Sequence, residues 1–336
     1  MRIAPFLVYK YFVVKEEFMM KVLVTDNVNA IAEEILKKEG IEAVVMKTPQ
    51  SEMLCEIIKD FDGIIVRNST KLTKEVLDCA KNLKIIARAG VGVDNIDVDY
   101  AAEKGIWVVN SPNGNTEATA EHTIAMLLSL ARKIPQAYET IKDGRFERSK
   151  FLGTELLGKT LGIAGFGKIG KRVAEIAKVF GMEILVYDPF AEKDFVEGFG
   201  YKKYDDLDLM LPFCDFLTVH VPKNKETVDL INSENIYKLK KGARIINCAR
   251  GGIINECALV EAVKNSHIAG AALDVFVDEP EITKCPLYNA SENLILVPHL
   301  GASTYEAQSK VAKDTAEQVC DVLKGGLPKT PVNKIN

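Results

Sequence analysis

Residues 160–181 read TLGIAGFGKIGKRVAEIAKVFG. An apolar run, TLGIAG (160–165), enters the pattern G-x-G-x-x-G at Gly165, Gly167 and Gly170. A helical pattern leaves it, with Ile169, Val173, Ile176, Ala177 and Phe180 on one face and Gly181 at the stop. Alone, such a motif is a weak signal. Between a strand and a helix it is the phosphate-binding turn of a dinucleotide fold. Gly165 permits the tight turn, Gly167 lets a pyrophosphate approach the backbone, and Gly170 lets the helix lie close to the strand. Lys168 and Ile169 open the helix, whose N-terminal N–H groups and partial positive charge suit phosphate. The next apolar run, EILVYD (183–188), ends at Asp188, and no arginine follows in DPFAEKD. A carboxylate there accepts from ribose hydroxyls and repels a 2′-phosphate, so the expected cofactor is NAD rather than NADP.

Working outward, the same alternation continues on both sides. Downstream lie FLTVHV (216–221), ARIINCA (243–249), AGAALDV (269–275) and LILVPH (294–299), which with 160–165 and 183–188 make six strands. Upstream lie KVLVTD (21–26), EAVVM (42–46), GIIVR (63–67), LKIIARA (83–89) and IWVVNSP (106–112), separated by helical stretches such as AIAEEILKKEG. Val- and Ile-rich runs alternating with helices predict parallel sheets covered on both faces. NTEATAEHTIAMLLSLARKI (115–134) reads as one long helix. The last helical stretch, 303–326, has no strand after it and is expected to return to the first series. The fold class is therefore α/β, with two doubly wound parallel-sheet domains. A Rossmann NAD-binding domain (114–301) is inserted into a flavodoxin-like substrate domain (20–113 and 302–336).

A chain of 336 residues is long for one core. Its formal charge of -4 gives no reason to expect nucleic acid or a membrane surface, so an anionic ligand must be met by local cations. Seven cysteines, odd in number and without a C-x-x-C, argue against a disulfide framework or a metal site and for a reducing cytoplasm. No run of eighteen apolar residues exists to span a membrane. Residues 1–19 make a poor signal peptide and are expected to come from an upstream start codon or to be a loosely packed extension, with an added edge strand as the alternative.

Three residues stand just past the later strands, where open α/β sheets bind ligands: Arg250, Glu279 in DVFVDEP, and His299 before LGAST. Oxidising a secondary alcohol needs a base for the hydroxyl proton, and histidine suits it. A nearby carboxylate favours the imidazolium and orients the ring. Arginine can grip a carboxylate with paired hydrogen bonds and polarise the developing carbonyl. Of the other histidines, His122 reads as a packing or interface residue, His220 as a neighbour of the cofactor, and His267 as part of an exposed turn.

With RAGVGVDNID (88–97), NCARGGIINE (247–256), AGAALDVFVDEP (269–280) and PHLGAS (298–303), the chain resembles the D-isomer-specific 2-hydroxyacid dehydrogenases over about residues 20–333. The resemblance puts Arg250, Glu279 and His299 in the roles just described. It puts the pyrophosphate on Lys168 and Ile169, and the nicotinamide end beside Cys248, Asp274, Gly301 and Ala302. IVRNST (65–70), RAG (88–90) and SPNGNT (111–116) resemble the segments of members acting on phosphorylated 2-hydroxy acids. Arg67, Ser69, Arg88, Gly90 and Asn115 would then bind substrate. DGRFERSKF (143–151) resembles an arm that crosses to a partner subunit, so Arg148 would reach the partner's substrate in a homodimer or homotetramer. Val91 stands where a threonine is often found, which weakens any polar contact to the cofactor there. The chain stops soon after the return helix, so feedback by serine through a further small domain is not expected. Reduction of hydroxypyruvate or glyoxylate, and a non-catalytic NAD-sensing scaffold, are the competing readings.

Overall fold

Short β-branched runs, each too apolar to leave uncovered, assemble into two all-parallel sheets. The computed structural model describes residues 20–335; the reading of residues 1–19 lies outside them. The chain divides into two compact units. Among the described residues, unit 1 contains 20–89, 93–111 and 312–335, and unit 2 contains 90–92 and 112–311.

Unit 1 runs β1 (Lys21–Val24), α1 (Ile31–Lys38), β2 (Glu42–Val45), α2 (Ser51–Ile57), β3 (Gly63–Val66), α3 (Lys74–Cys79), β4 (Ile85–Arg88), α4 (Val98–Glu103) and β5 (Trp107–Asn110). The strand order is β2-β1-β3-β4-β5, the flavodoxin-like order with its switch point between β1 and β3. Leu23, Ile64, Val66, Ile86 and Val108 are fully buried in its core, with Leu54, Val76 and Leu77 from the helices. Each such side chain contributes roughly 1.5–3 kcal/mol of burial. The far end of the chain completes this unit. Val332 donates its N–H to the Val108 carbonyl (2.7 Å), and the Asn333 side chain bonds Val108 N–H (2.9 Å) and the Ile106 carbonyl (2.8 Å).

Unit 2 runs α5 (Thr116–Arg132), α6 (Ile134–Lys142), β6 (Thr160–Ala164), α7 (Lys168–Val179), β7 (Glu183–Tyr187), α8 (Lys193–Glu197), β8 (Lys202–Tyr204), α9 (Leu207–Met210), β9 (Phe216–Val219), β10 (Ala243–Asn247), α10 (Glu256–Lys264), β11 (Ile268–Leu273) and β12 (Leu294–Leu296). The last helix, α11 (Tyr305–Leu323), contributes to unit 1 from Ala312 onward. The sheet order is β12-β11-β10-β9-β6-β7-β8: the dinucleotide-binding order with one strand added beyond β11.

Three local readings change. The sheet has seven strands, because Lys202–Tyr204 pairs with β7 as a three-residue charged edge. The long helix ends at Arg132, where Lys133 takes a left-handed conformation (φ 52°), and a separate α6 follows. Phe180, read as the last inward residue of α7, is 41% exposed at its C-cap, and Ala174 is buried instead.

Candidate active site

The glycines of the β6–α7 turn are set by sterics. Gly165 has φ +98°, and a Cβ there would lie 2.7 Å from the carbonyl of His220. A Cβ on Gly170 would lie 2.1 Å from the Gly165 oxygen. At Gly167, the N-cap of α7, a Cβ would meet nothing within 4 Å, and no side chain caps the helix. The turn therefore presents the amides of Lys168 and Ile169 to open space, which fits a pyrophosphate. Asp188 braces it: one carboxylate oxygen accepts from Phe166 N–H (2.7 Å) and the other from Phe190 N–H (2.8 Å) and Ala191 N–H (3.2 Å). Carboxylate oxygens accept more than one bond, so ribose hydroxyls remain compatible. His220, just past β9, bonds Thr218 Oγ1 through Nε2 (3.0 Å), and burial pushes its ring down to about 4, so it is neutral.

At the ends of β10, β11 and β12 the unit brings Arg250, Glu279 and His299 to one sheet edge. Asn247 shapes the first turn: its side chain accepts from Ala249 N–H (2.9 Å) and donates to the Arg250 carbonyl (2.9 Å). A Cβ on Gly251 would sit 1.9 Å from the Phe276 carbonyl, so the bare backbone there admits the loop carrying Glu279. The glycine after Arg250 thus serves chain packing. Glu279 Oε1 accepts from Phe276 N–H (2.9 Å), and Oε2 lies 2.7 Å from His299 Nδ1. Burial alone would raise the Glu279 carboxyl, but its bonds from His299 and Phe276 outweigh that and hold it below its ordinary value. With Nδ1 facing a carboxylate, the proton sits there and Nε2 is left to accept. His299 itself has φ +54°, pinned by its N–H to the Asp274 carbonyl (2.9 Å).

Asp274 is fully buried and accepts from Leu300 N–H (2.6 Å) and Gly301 N–H (2.8 Å), so it builds the loop that carries His299 and leads to Ala302. His122, read as a packing residue, puts Nε2 3.4 Å from Asp274 Oδ1 in poor alignment for a hydrogen bond. Cys248 joins them, all three donor atoms lying within 4.8 Å of one another, and burial pushes its thiol up to about 12. No spacing in the sequence links His122 to Asp274.

In unit 1, Arg67 follows β3 and Arg88 ends β4, opposite Val66 in the register, so the two cations stand at neighbouring strand ends. Gly90 follows Arg88 with φ 152°. Sequence reasoning missed what shapes this edge. Asp26, past β1 on the other side of the switch point, accepts from the N–H groups of Arg67 (2.9 Å), Ser69 (3.2 Å) and Thr70 (2.9 Å). It also accepts from the hydroxyls of Thr70 (2.6 Å) and Thr48 (2.7 Å). Asn95 closes the turn from below through the carbonyls of Arg67 (2.9 Å) and Thr70 (2.6 Å). In unit 2, Asn115 precedes α5 with a buried Oδ1 that has no hydrogen-bond partner. Arg148 is exposed, at the start of a short 3-10 turn, Arg148–Phe151.

Comparison with known proteins bears on this geometry. The family model described as "D-isomer specific 2-hydroxyacid dehydrogenase, NAD binding domain" matches residues 124–301. The D-3-phosphoglycerate dehydrogenase of Synechocystis is 50% identical over 94% of this chain and 56% of that protein. The chain spans a little over half the length of the curated relatives it matches. Among solved structures, the TT0316 protein from Thermus thermophilus superposes with a TM-score of 0.86 at 34% identity, covering 94% of this chain and all of that one. The Aquifex aeolicus D-lactate dehydrogenase, solved with NAD and lactic acid, gives 0.78 at 32% identity, covering 90% of this chain and 96% of that one.

Proposed function

The chain belongs to the D-isomer-specific 2-hydroxyacid dehydrogenase family, and on that premise we propose that it oxidises 3-phospho-D-glycerate to 3-phosphohydroxypyruvate with NAD, the first step of the phosphorylated route to serine. The observation that carries the dehydrogenase reading is the 2.7 Å His299–Glu279 pair on the sheet edge that also holds Arg250 and the dinucleotide turn. When bound, the nicotinamide supplies a hydride acceptor. Lys168 and Ile169 amides hold the pyrophosphate, Asp188 the adenosine ribose, and Cys248, Asp274, Gly301 and Ala302 the nicotinamide end. His299 Nε2 takes the substrate hydroxyl proton while Glu279 fixes the ring and steadies the imidazolium. Arg250 binds the carboxylate and the forming carbonyl oxygen through its fork.

The choice of a phosphorylated acid rests on Arg67 and Arg88, held at adjacent strand ends in an acidic chain, with Ser69, Gly90 and Asn115 completing the substrate contacts. The test compares turnover of 3-phosphoglycerate, D-glycerate and D-lactate by NADH formation. Replacing Arg67 and Arg88 by alanine should raise KM for the phosphorylated substrate sharply and leave glyoxylate reduction nearly unchanged. If all substrates suffer alike, the phosphate assignment is wrong, and if none turns over, the enzyme reading falls.

We also propose a cytoplasmic homodimer. All seven cysteines are free thiols. Ile134, Tyr138, Ile141, Phe146 and Leu152 are each more than half exposed on α6 and the following arm, a larger apolar run than a monomer usually shows. Arg148 in that arm would serve the partner's substrate. Phe146→Asp should halve the mass seen by light scattering.

A further inference from the structure

One pair of side chains stands outside everything the proposed reaction uses. Cys55 lies on α2, and Cys79 is the last residue of α3. Their sulfurs are 2.7 Å apart. Both also approach one carbonyl oxygen, that of Glu75, at 3.5 and 3.4 Å. A disulfide bond is about 2.05 Å long, so the two sulfurs, already 2.7 Å apart, stand close to bonding distance. Both residues are partly exposed, within reach of a small solute. Of the other cysteines four are buried and Cys257 is exposed. The 24-residue separation hid the pair from any reading by spacing.

We propose that Cys55 and Cys79 form a reversible intramolecular disulfide, with a hydroperoxide as oxidant. One sulfur, as thiolate, attacks the peroxide O–O bond, taking one oxygen as a sulfenic acid while the other leaves as water or alcohol. The second sulfur attacks that sulfenic sulfur, the S–S bond forms, and water departs. Two electrons pass from the two sulfurs to the peroxide, and a dithiol returns them. The closed loop would run from α2 to α3 through β3 and the turn bearing Arg67 and Ser69. The hydrogen bond with Cys79, burial and the Glu52 and Glu75 carboxylates together push the Cys55 thiol up to about 11, so at neutral pH its attack on peroxide runs through a small thiolate fraction, the proton passing to water.

The test treats the full chain with hydrogen peroxide. Intact mass should fall by two hydrogen atoms, and a digest without reductant should keep the peptides of Cys55 and Cys79 joined. The melting temperature followed at Trp107, which lies in β5 of the same unit, should rise by about 5–10 °C and return with dithiothreitol. Cys55→Ser and Cys79→Ser should each abolish the linked peptide and the shift, and Cys257→Ser should keep both. Because the linkage is read by mass, a failure of the proposed dehydrogenase activity leaves this test intact. Oxygen adducts on unlinked Cys55 or Cys79, or a bond to any other cysteine, would overturn the proposal.

Discussion

Replacing Asp26 should unfold unit 1 early and spoil the turn that presents Arg67. Its carboxylate accepts three backbone N–H groups and two hydroxyls. Thr70 is 1% exposed, so in Asp26→Ala its amide loses its partner with no water to replace it, while its hydroxyl keeps only the bond to Thr25 Oγ1 (2.9 Å). Each such orphan costs about 1–3 kcal/mol. The amides of Arg67 and Ser69 are nearer solvent and lose less. Asp26 also has φ 58°, which alanine tolerates worse than aspartate or asparagine. The sum is about 3–5 kcal/mol for Asp26→Ala. Asparagine can keep its oxygen on the three amides and turn its NH2 toward the two hydroxyls, which rotate to accept, so Asp26→Asn should cost about 1–2 kcal/mol. The chain has one tryptophan, Trp107 in β5, so its fluorescence during urea unfolding reports unit 1. The effect should depend on pH. Burial would raise the Asp26 carboxyl, but the bonds from Thr70, Thr48 and Arg67 hold it below its ordinary value. A lowered carboxyl contributes stability that is present above the unfolded pKa, near 3.9, and lost as pH falls through the folded one. The gap between wild type and Asp26→Asn should therefore close below about pH 4. A wild-type midpoint for Asp26→Ala, or a gap that persists unchanged into acid, would refute the assignment.

Other outcomes follow from the same geometry. Glu279→Gln should lower kcat for oxidation by about 10- to 100-fold, because the His299 ring loses the carboxylate that orients it; near-normal kcat in steady-state assays would count against the pairing. Arg250→Lys keeps the charge and loses the fork, and kcat/KM should fall on the order of 10- to 100-fold; near-normal kinetics would mean charge suffices. Gly167→Ala should melt like wild type yet bind NAD on the order of tenfold more weakly by calorimetry, whereas Gly170→Ala, whose Cβ would meet the Gly165 oxygen at 2.1 Å, should destabilise unit 2 itself.

Both sheets were legible because each strand carries its own apolar run and the dinucleotide turn is decided by local glycine sterics. The edge strand β8 was not, since Lys202, Lys203 and Tyr204 hold no apolar run and are strand only because β7 offers them partners. The break at Lys133 was hidden because apolar periodicity continues across it into α6. Arg250, Glu279 and His299 were readable from their places just past strands. Asp26, Asn95 and Asn247 were not. Each acts through backbone groups that the fold, and no spacing pattern, brings to its side chain. The approach of His122 to Asp274 was hidden for the same reason: Asp274, just past β11, lies far along the chain.

The nested order of the two units has a consequence for how the chain is made. β1 to β5 leave the ribosome first, but α11 from Ala312 and the Val332–Asn333 segment that closes the edge of β5 come only after residues 112–311. At about 5–20 residues per second, that gap lasts about 10–40 s. During it β5 has an open edge, and Gly63 lacks the Val319 side chain that packs on it. Unit 2, contiguous apart from three residues, can finish folding while unit 1 waits, so the emerging chain is most exposed to wrong strand pairing at β5.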